Sequence, residues 1–117
     1  MDANTALGTY ALKNTTGANN TSVGKSSLEI NNSGAGNTAV GYYAMYANTT
    51  GSNNTVMGSY ALDANDVGLN AVAIGYGAAT AWKPTDTGKN ITAVGYNALL
   101  SNTTSGYNTA FGYQAAD

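Results

Sequence analysis

Along almost the whole chain one large apolar residue, one glycine and one small residue recur in a fixed order, set apart by polar turns. The stretch Asn37–Leu62 shows the phrase twice, NTAVGYYAM and then NTVMGSYAL. Anchored on the glycine, the copies fall at Gly8, Gly24, Gly41, Gly58, Gly75, Gly95 and Gly112, at intervals of 16, 17, 17, 17, 20 and 17 residues. Immediately before each glycine stands Leu7, Val23, Val40, Met57, Ile74, Val94 or Phe111. Two residues earlier come Thr5, Thr21, Thr38, Thr55, Val72, Thr92 and Thr109. Three and four residues after the glycine come pairs such as Ala44-Met45, Ala61-Leu62 and Ala98-Leu99.

A unit of this length is too short for a pair of helices, and its Asn, Gly and Thr are poor helix residues. Short strands joined by turns fit it. In T-A-V-G, Thr38 and Val40 point to one side and Ala39 and Gly41 to the other. The apolar Val40 is expected to draw its side inward, so the interior should hold the Thr and Val columns with the Ala-Leu pair. Segments such as NTTGSNN (Asn48–Asn54) carry turn chemistry, with Asn and Gly tolerating positive φ. Equal units stack column upon column at about 4.8 Å. The predicted fold is all-β, a parallel β-solenoid of about seven coils and roughly 30 Å tall at that spacing, forming a single repeat domain over residues 1–117. The chain enters a repeat at once and stops inside one, as expected of a fragment of a longer fibre.

Composition narrows the function. Only 9% of residues are charged, the net charge is −2, and the four lysines are scattered. Nucleic-acid binding needs clustered positive charge, so nucleic acid is not an expected partner. Cysteine and histidine are absent, which removes disulfides, thiol nucleophiles and the commonest metal ligand. No apolar run approaches the ~20 residues of a membrane span, and membrane insertion by this segment is not expected. The six acids are spread along the chain, and only Asp63 and Asp66 share a unit. No acid–base constellation emerges, so neither an enzyme nor a cofactor is predicted. A glycan-cleaving activity would need paired carboxylates, which the chain does not offer.

Nine tyrosines punctuate the repeat, and six of the seven units carry one in the first or second place after the glycine. Tyr42, Tyr43, Tyr60, Tyr76, Tyr96 and Tyr113 form columns that want a surface to cover, and self-association would supply it. A glycan-binding aromatic ladder is the sharper alternative. The phrase NAVAIG (Asn70–Gly75) resembles the head repeat of YadA-like trimeric autotransporter adhesins. The fuller GNTAVGYYAM with NTTGSNNT (Gly36–Thr55) resembles repeats of bacteriophage tail fibres and related bacterial fibre adhesins. The resemblance spans essentially the whole chain, although its units are longer than the shorter YadA head unit. It implies a left-handed β-roll, an intertwined or side-by-side homotrimer, an extracellular place on a virion tail fibre or bacterial surface, and a role in attachment.

The fifth unit breaks the pattern. Its interval is 20, and Ala79–Lys89 (ATAWKPTDTGK) holds the only Trp and the only Pro. Insertions in solenoids map to surface loops, often on a binding face. Trp82 with Lys83, Thr85 and Asp86 is therefore the candidate glycan contact; the plainer expectation has Trp82 packing a widened coil. An Asn column (Asn4, Asn20, Asn37, Asn54, Asn70, Asn108) is expected to form amide ladders or cap turns. The expected function is a non-enzymatic trimeric fibre or adhesin segment. The alternative is a monomeric solenoid with an ice-binding or other surface-binding face, disfavoured because such faces carry T-x-T outward and the T-x-V pair here should turn inward.

Overall fold

The computed structural model describes residues 3–85 and 90–117. Nine short strands and no helix occur among them. Seven strands form one parallel sheet in chain order: β1 (Thr5–Leu7), β3 (Thr21–Val23), β5 (Thr38–Val40), β6 (Thr55–Met57), β7 (Val72–Ile74), β8 (Ile91–Val94) and β9 (Asn108–Phe111). A second, two-stranded sheet pairs β2 (Asn14–Thr15) with β4 (Ile30–Asn31). Six turns of the chain thus separate seven stacked strands. The register follows the repeat: Thr5 pairs with Thr21, Thr38 with Thr55, Thr55 with Val72 and Val72 with Thr92. The molecule is a β-solenoid measuring 39 × 26 × 15 Å.

Coil-to-coil pairing continues beyond the strands. The N–H groups of Leu28, Met45, Leu62, Ala79 and Leu99 each donate to a carbonyl in the next coil, at 2.9–3.1 Å. Between strand and turn the chain must reverse tightly, and the anchor glycines do this at φ between 126° and 141°. A Cβ at Gly58 would lie 2.3 Å from the Gly75 carbonyl oxygen, so the close approach of successive coils also needs glycine.

The interior is narrow and mixed. Ala39, Val56, Ala73 and Ala93 line it from the sheet, and Leu28, Met45, Leu62 and Leu99 fill it from the turn side. Two columns of fully buried asparagines complete it. Asn37 Oδ1 accepts the backbone N–H of Asn54, and Asn54 Oδ1 accepts that of Ala71, at 3.0 and 2.8 Å. In the second column Asn65 Nδ2 donates to Asn48 Oδ1 and Asn48 Nδ2 to Asn31 Oδ1, at 2.9 and 2.7 Å. Their spare donors reach the carbonyls of Gly34, Gly51 and Gly68. Identical amides stacked one per coil satisfy one another, which lets a polar group sit in a core this thin.

Two expectations are corrected here. The alternation of T-A-V holds, but with the opposite side inward: Ala39 is buried, whereas Thr38 is exposed and Val40 only half-buried. With the Leu column and the Asn ladders already inside, the middle position of the strand takes Ala or at most Val56, and Val40, Met57 and Ile74 are turned out. The Asn column also skips Asn70. The residue that succeeds Asn54 in register is Ala71, while Asn70 (φ 54°) shares with Asn53 (φ 59°) the left-handed position just before it.

The Leu column is left-handed as well: Leu28, Met45, Leu62 and Leu99 have φ of 48–54°. A β-branched side chain is a genuine outlier there, so Leu62→Ile is expected to destabilise by about 2–4 kcal/mol, backbone strain adding to imperfect repacking. Leu62→Met, which matches Met45 one coil away, should cost less than about 1.5 kcal/mol. Urea denaturation of the two variants measures the difference, and equal midpoints would refute the account.

Candidate functional site

The outer side of the seven-stranded sheet carries two ladders. One is Thr5, Thr21, Thr38, Thr55, Val72, Thr92 and Thr109; the other is Leu7, Val23, Val40, Met57, Ile74, Val94 and Phe111. Neither holds a charged residue. Leu7, Met57 and Phe111 are 68%, 51% and 81% exposed, and the others are half-buried by their neighbours along the ladder. A continuous apolar stripe flanked by a hydroxyl stripe therefore runs the full length of the solenoid. Scattered exposed apolar residues are ordinary on a protein, but a contiguous row marks a contact surface.

Around the corner beyond the anchor glycines lies the tyrosine ladder. Tyr76, Tyr96 and Tyr113 occupy the same place in consecutive coils, with ring centroids 5.4 and 5.3 Å apart and planes within 12° and 9°. Tyr43 and Tyr60 stack similarly at 5.8 Å, and Tyr42 meets Tyr60 edge-on at 5.4 Å. Rings stacked this way cover one another's faces and leave their edges and hydroxyls to solvent. A sugar stacks on a free ring face, so the regular part of the ladder is poorly built for that purpose. Its hydrogen bond with Tyr42 is the main cause of a Tyr60 phenol pKa above the ordinary value, with partial burial and the neighbouring phenols adding to it. Where Gly77 replaces a tyrosine, a groove of about 480 Å³ opens beside Tyr60, Tyr76, Tyr96 and Thr80.

Of the candidate glycan contacts, Trp82 is the one the structure moves. Its side chain is fully buried, packed on Gly68, where a Cβ would lie 2.3 Å from the ring, and its Nε1 donates to the Ser105 carbonyl at 3.1 Å. No ligand reaches its faces, so the expectation of sugar stacking on Trp82 is corrected. Trp82 comes one repeat after Asn65 and stands where the next asparagine of the buried ladder would be. Lys83 and Thr85 are exposed and Pro84 is buried; Asp86 lies outside the described residues.

Titratable chemistry is sparse. Burial lifts the Asp63 carboxyl above its usual value, against the backbone N–H groups of Ala64 and of Asp63 itself. Its neighbour Asp66 accepts from the Thr49 hydroxyl. Among the described residues no group of three or more acids could hold a metal ion, and no helix is long and apolar enough to cross a membrane. No family model, curated protein or solved structure matches this chain.

Proposed function

We propose that this chain is a non-enzymatic fibre segment in which three copies lie side by side, building a rigid shaft or head that attaches an extracellular structure to a cell surface. The observation that carries the reading is the uncharged Thr/aliphatic face, unbroken over all seven strands. A surface of that length, apolar along one edge and free of charge, is best covered by another of the same kind. The resemblance to tail-fibre and YadA-like repeats supports three copies and a place on a virion fibre or bacterial surface. Rigidity follows from the stack, since every coil is tied to its neighbours by backbone hydrogen bonds and the earlier coils by amide ladders as well. Many copies of a weak surface contact, held on one rigid body, add up to useful avidity. Lys83, Thr85 and the groove at Gly77 are the surface features offered to a glycan.

Light scattering behind a sizing column tests the assembly: a mass three times 11.8 kDa is expected. Val40→Glu places an unpaired charge in the apolar stripe without touching the interior. It should weaken association by about tenfold or more, with the β-sheet circular dichroism unchanged. A single-chain mass in the native protein would defeat the trimer.

A second reading gains from the same face. Its T-x-aliphatic rows face outward, which removes one of the two grounds on which a monomeric ice-binding or other surface-binding solenoid was disfavoured; the pair is still not T-x-T. A monomeric mass together with thermal hysteresis in dilute solution would select that reading, whereas a trimer without hysteresis would select the fibre.

A further inference from the structure

Seven tyrosines form one unbroken series of ring contacts. From Tyr46 the series runs through Tyr43 and Tyr42 to Tyr60, then on through Tyr76 and Tyr96 to Tyr113, with centroids 4.6–6.1 Å apart. Tyr10 and Tyr107 stand outside it; the Tyr10 ring instead carries the Lys13 ammonium, 4.5 Å from its centre. The series follows the corner beyond the anchor glycines, where Tyr42, Tyr76 and Tyr96 are exposed and Tyr43 and Tyr60 half-buried. Small reagents in solvent therefore reach it along its length.

A phenol that loses one electron and its hydroxyl proton becomes a phenoxyl radical. The unpaired electron is shared between the oxygen and the ring carbons beside it, and two such radicals join through those carbons. Tyr42 and Tyr60 are the pair best placed to do so. They lie in adjacent coils, held together by a hydrogen bond from Tyr60 N to Tyr42 O at 2.9 Å. Their rings meet edge to face at 5.4 Å, and the two phenols are hydrogen-bonded to each other. Hydroxyls in contact bring together the carbons that flank them. The rest of the ladder supplies a route, since electron exchange between touching rings carries a radical formed at Tyr76 or Tyr96 toward Tyr60.

We infer that the tyrosine ladder is an oxidative modification site, in which Tyr42 and Tyr60 are joined by a carbon–carbon bond that staples the coils anchored on Gly41 and Gly58. The co-reactant is a peroxide acting through a haem peroxidase. Each phenol gives up its hydroxyl hydrogen as one electron and one proton, and the pair of hydrogens reduces one hydrogen peroxide to two waters. The bond forms between the two radicals. The hydrogen on each joined carbon then moves to the neighbouring oxygen and restores both phenols, so the chain ends two hydrogens lighter. The sequence has no cysteine, and this bond gives successive coils the covalent tie that a disulfide gives elsewhere. It uses the tyrosine corner and not the Thr/aliphatic face, so it stands or falls independently of lateral trimerisation.

The test treats the 117-residue chain, at high dilution, with hydrogen peroxide and a haem peroxidase. Dityrosine fluorescence should appear, with a covalent mass of a single chain lowered by two hydrogens. Mass spectrometry of the digested product should find Tyr42 and Tyr60 in one linked pair of peptides. The urea midpoint of the linked protein should rise, because the tie restricts the unfolded chain. Tyr60→Phe keeps the ring and should lose the bond, whereas Tyr107→Phe should form it as the native chain does. Oxidation in urea, where the coils have come apart, should lose it as well. Equal yields from folded and urea-unfolded protein overturn the inference, as does a bond mapped to any other pair. So does a folded chain that forms no dityrosine under conditions that couple free tyrosine.

Discussion

Trp82→Ala is expected to remove about 3–5 kcal/mol of stability, the range for truncating a fully buried aromatic. The indole is the largest fully buried side chain, and nothing nearby can collapse into its place. On one side it rests against Gly68, whose backbone is held by Asn65. On the other its N–H is the partner of the Ser105 carbonyl, which would be left without it. Its position in the stack adds a second effect. Both asparagine ladders run through the coils up to Asn54 and Asn65 and then stop, and Trp82 takes the next position of the second. Without the indole, the coils on either side should lose cooperativity and unfold in two steps. Urea denaturation monitored by circular dichroism reports both effects, since the variant has no tryptophan left to fluoresce. Trp82→Phe keeps most of the volume but not the N–H and should lie between Ala and native. An unchanged midpoint for Trp82→Ala would show that the ring does not hold the junction.

Asn48→Asp should be as damaging at neutral pH, by about 3–5 kcal/mol, because it leaves an uncompensated charge in the core. Asn48 Nδ2 donates to Asn31 Oδ1 and to the Gly51 carbonyl at 2.7 and 2.9 Å, while its Oδ1 accepts from Asn65. An aspartate there points a negative oxygen at two acceptors. Burial and those acceptors raise the folded-state pKa of the new carboxyl above its unfolded value near 3.9. For a raised carboxyl, the native state binds the proton more tightly than the unfolded chain does. Stability is therefore greatest below the unfolded pKa and falls as pH rises through the folded one. The variant should recover part of its loss on acidification, where the protonated acid can donate one of the two missing hydrogen bonds. Denaturation midpoints at acidic and neutral pH, compared with the native chain, test the sign. A variant equally stable at both would mean the ladder tolerates charge and is wetter than its geometry implies.

The repeat was legible because it is written in spacing. Once Gly41, Gly58 and Gly75 are aligned, every column and the parallel register follow. Which side of the strand faces inward was harder to read. The usual rule sends Val40 and Met57 inside, but that rule assumes a core with room for them. Here the Leu62 column and the Asn48 ladder claim the interior, so Ala39 and Ala73 are the right size for the sheet side. Signals of this arrangement were present in the chain. The column of Leu28, Met45, Leu62 and Leu99 never admits Val, Ile or Thr, as a left-handed position requires. Asn31, Asn48 and Asn65 keep a strict interval, as buried partners must. Trp82 falls one further interval along, which places it in the ladder and puts the extra residues of the fifth unit after it. The stacking of Tyr76, Tyr96 and Tyr113 face to face depends on side-chain torsions that spacing does not encode.

The uniformity of the joints has a genetic consequence. Each coil meets the next through the same glycine, the same backbone pair and, over much of the stack, the same amides, so a duplicated or deleted stretch of one full period leaves every surviving joint intact. A shift of a single residue in a coil would instead put a side chain, such as that of Met57 or Ser59, where coils touch through glycine. Unequal crossing-over between such repeats can therefore change the length of the column in whole steps while preserving its cross-section. The interval of 20 in the fifth unit shows where extra residues are accommodated, in the connection after Trp82 rather than within a strand. Selection can then adjust reach independently of the contact surface, because each added coil carries its own threonine and its own aliphatic rung.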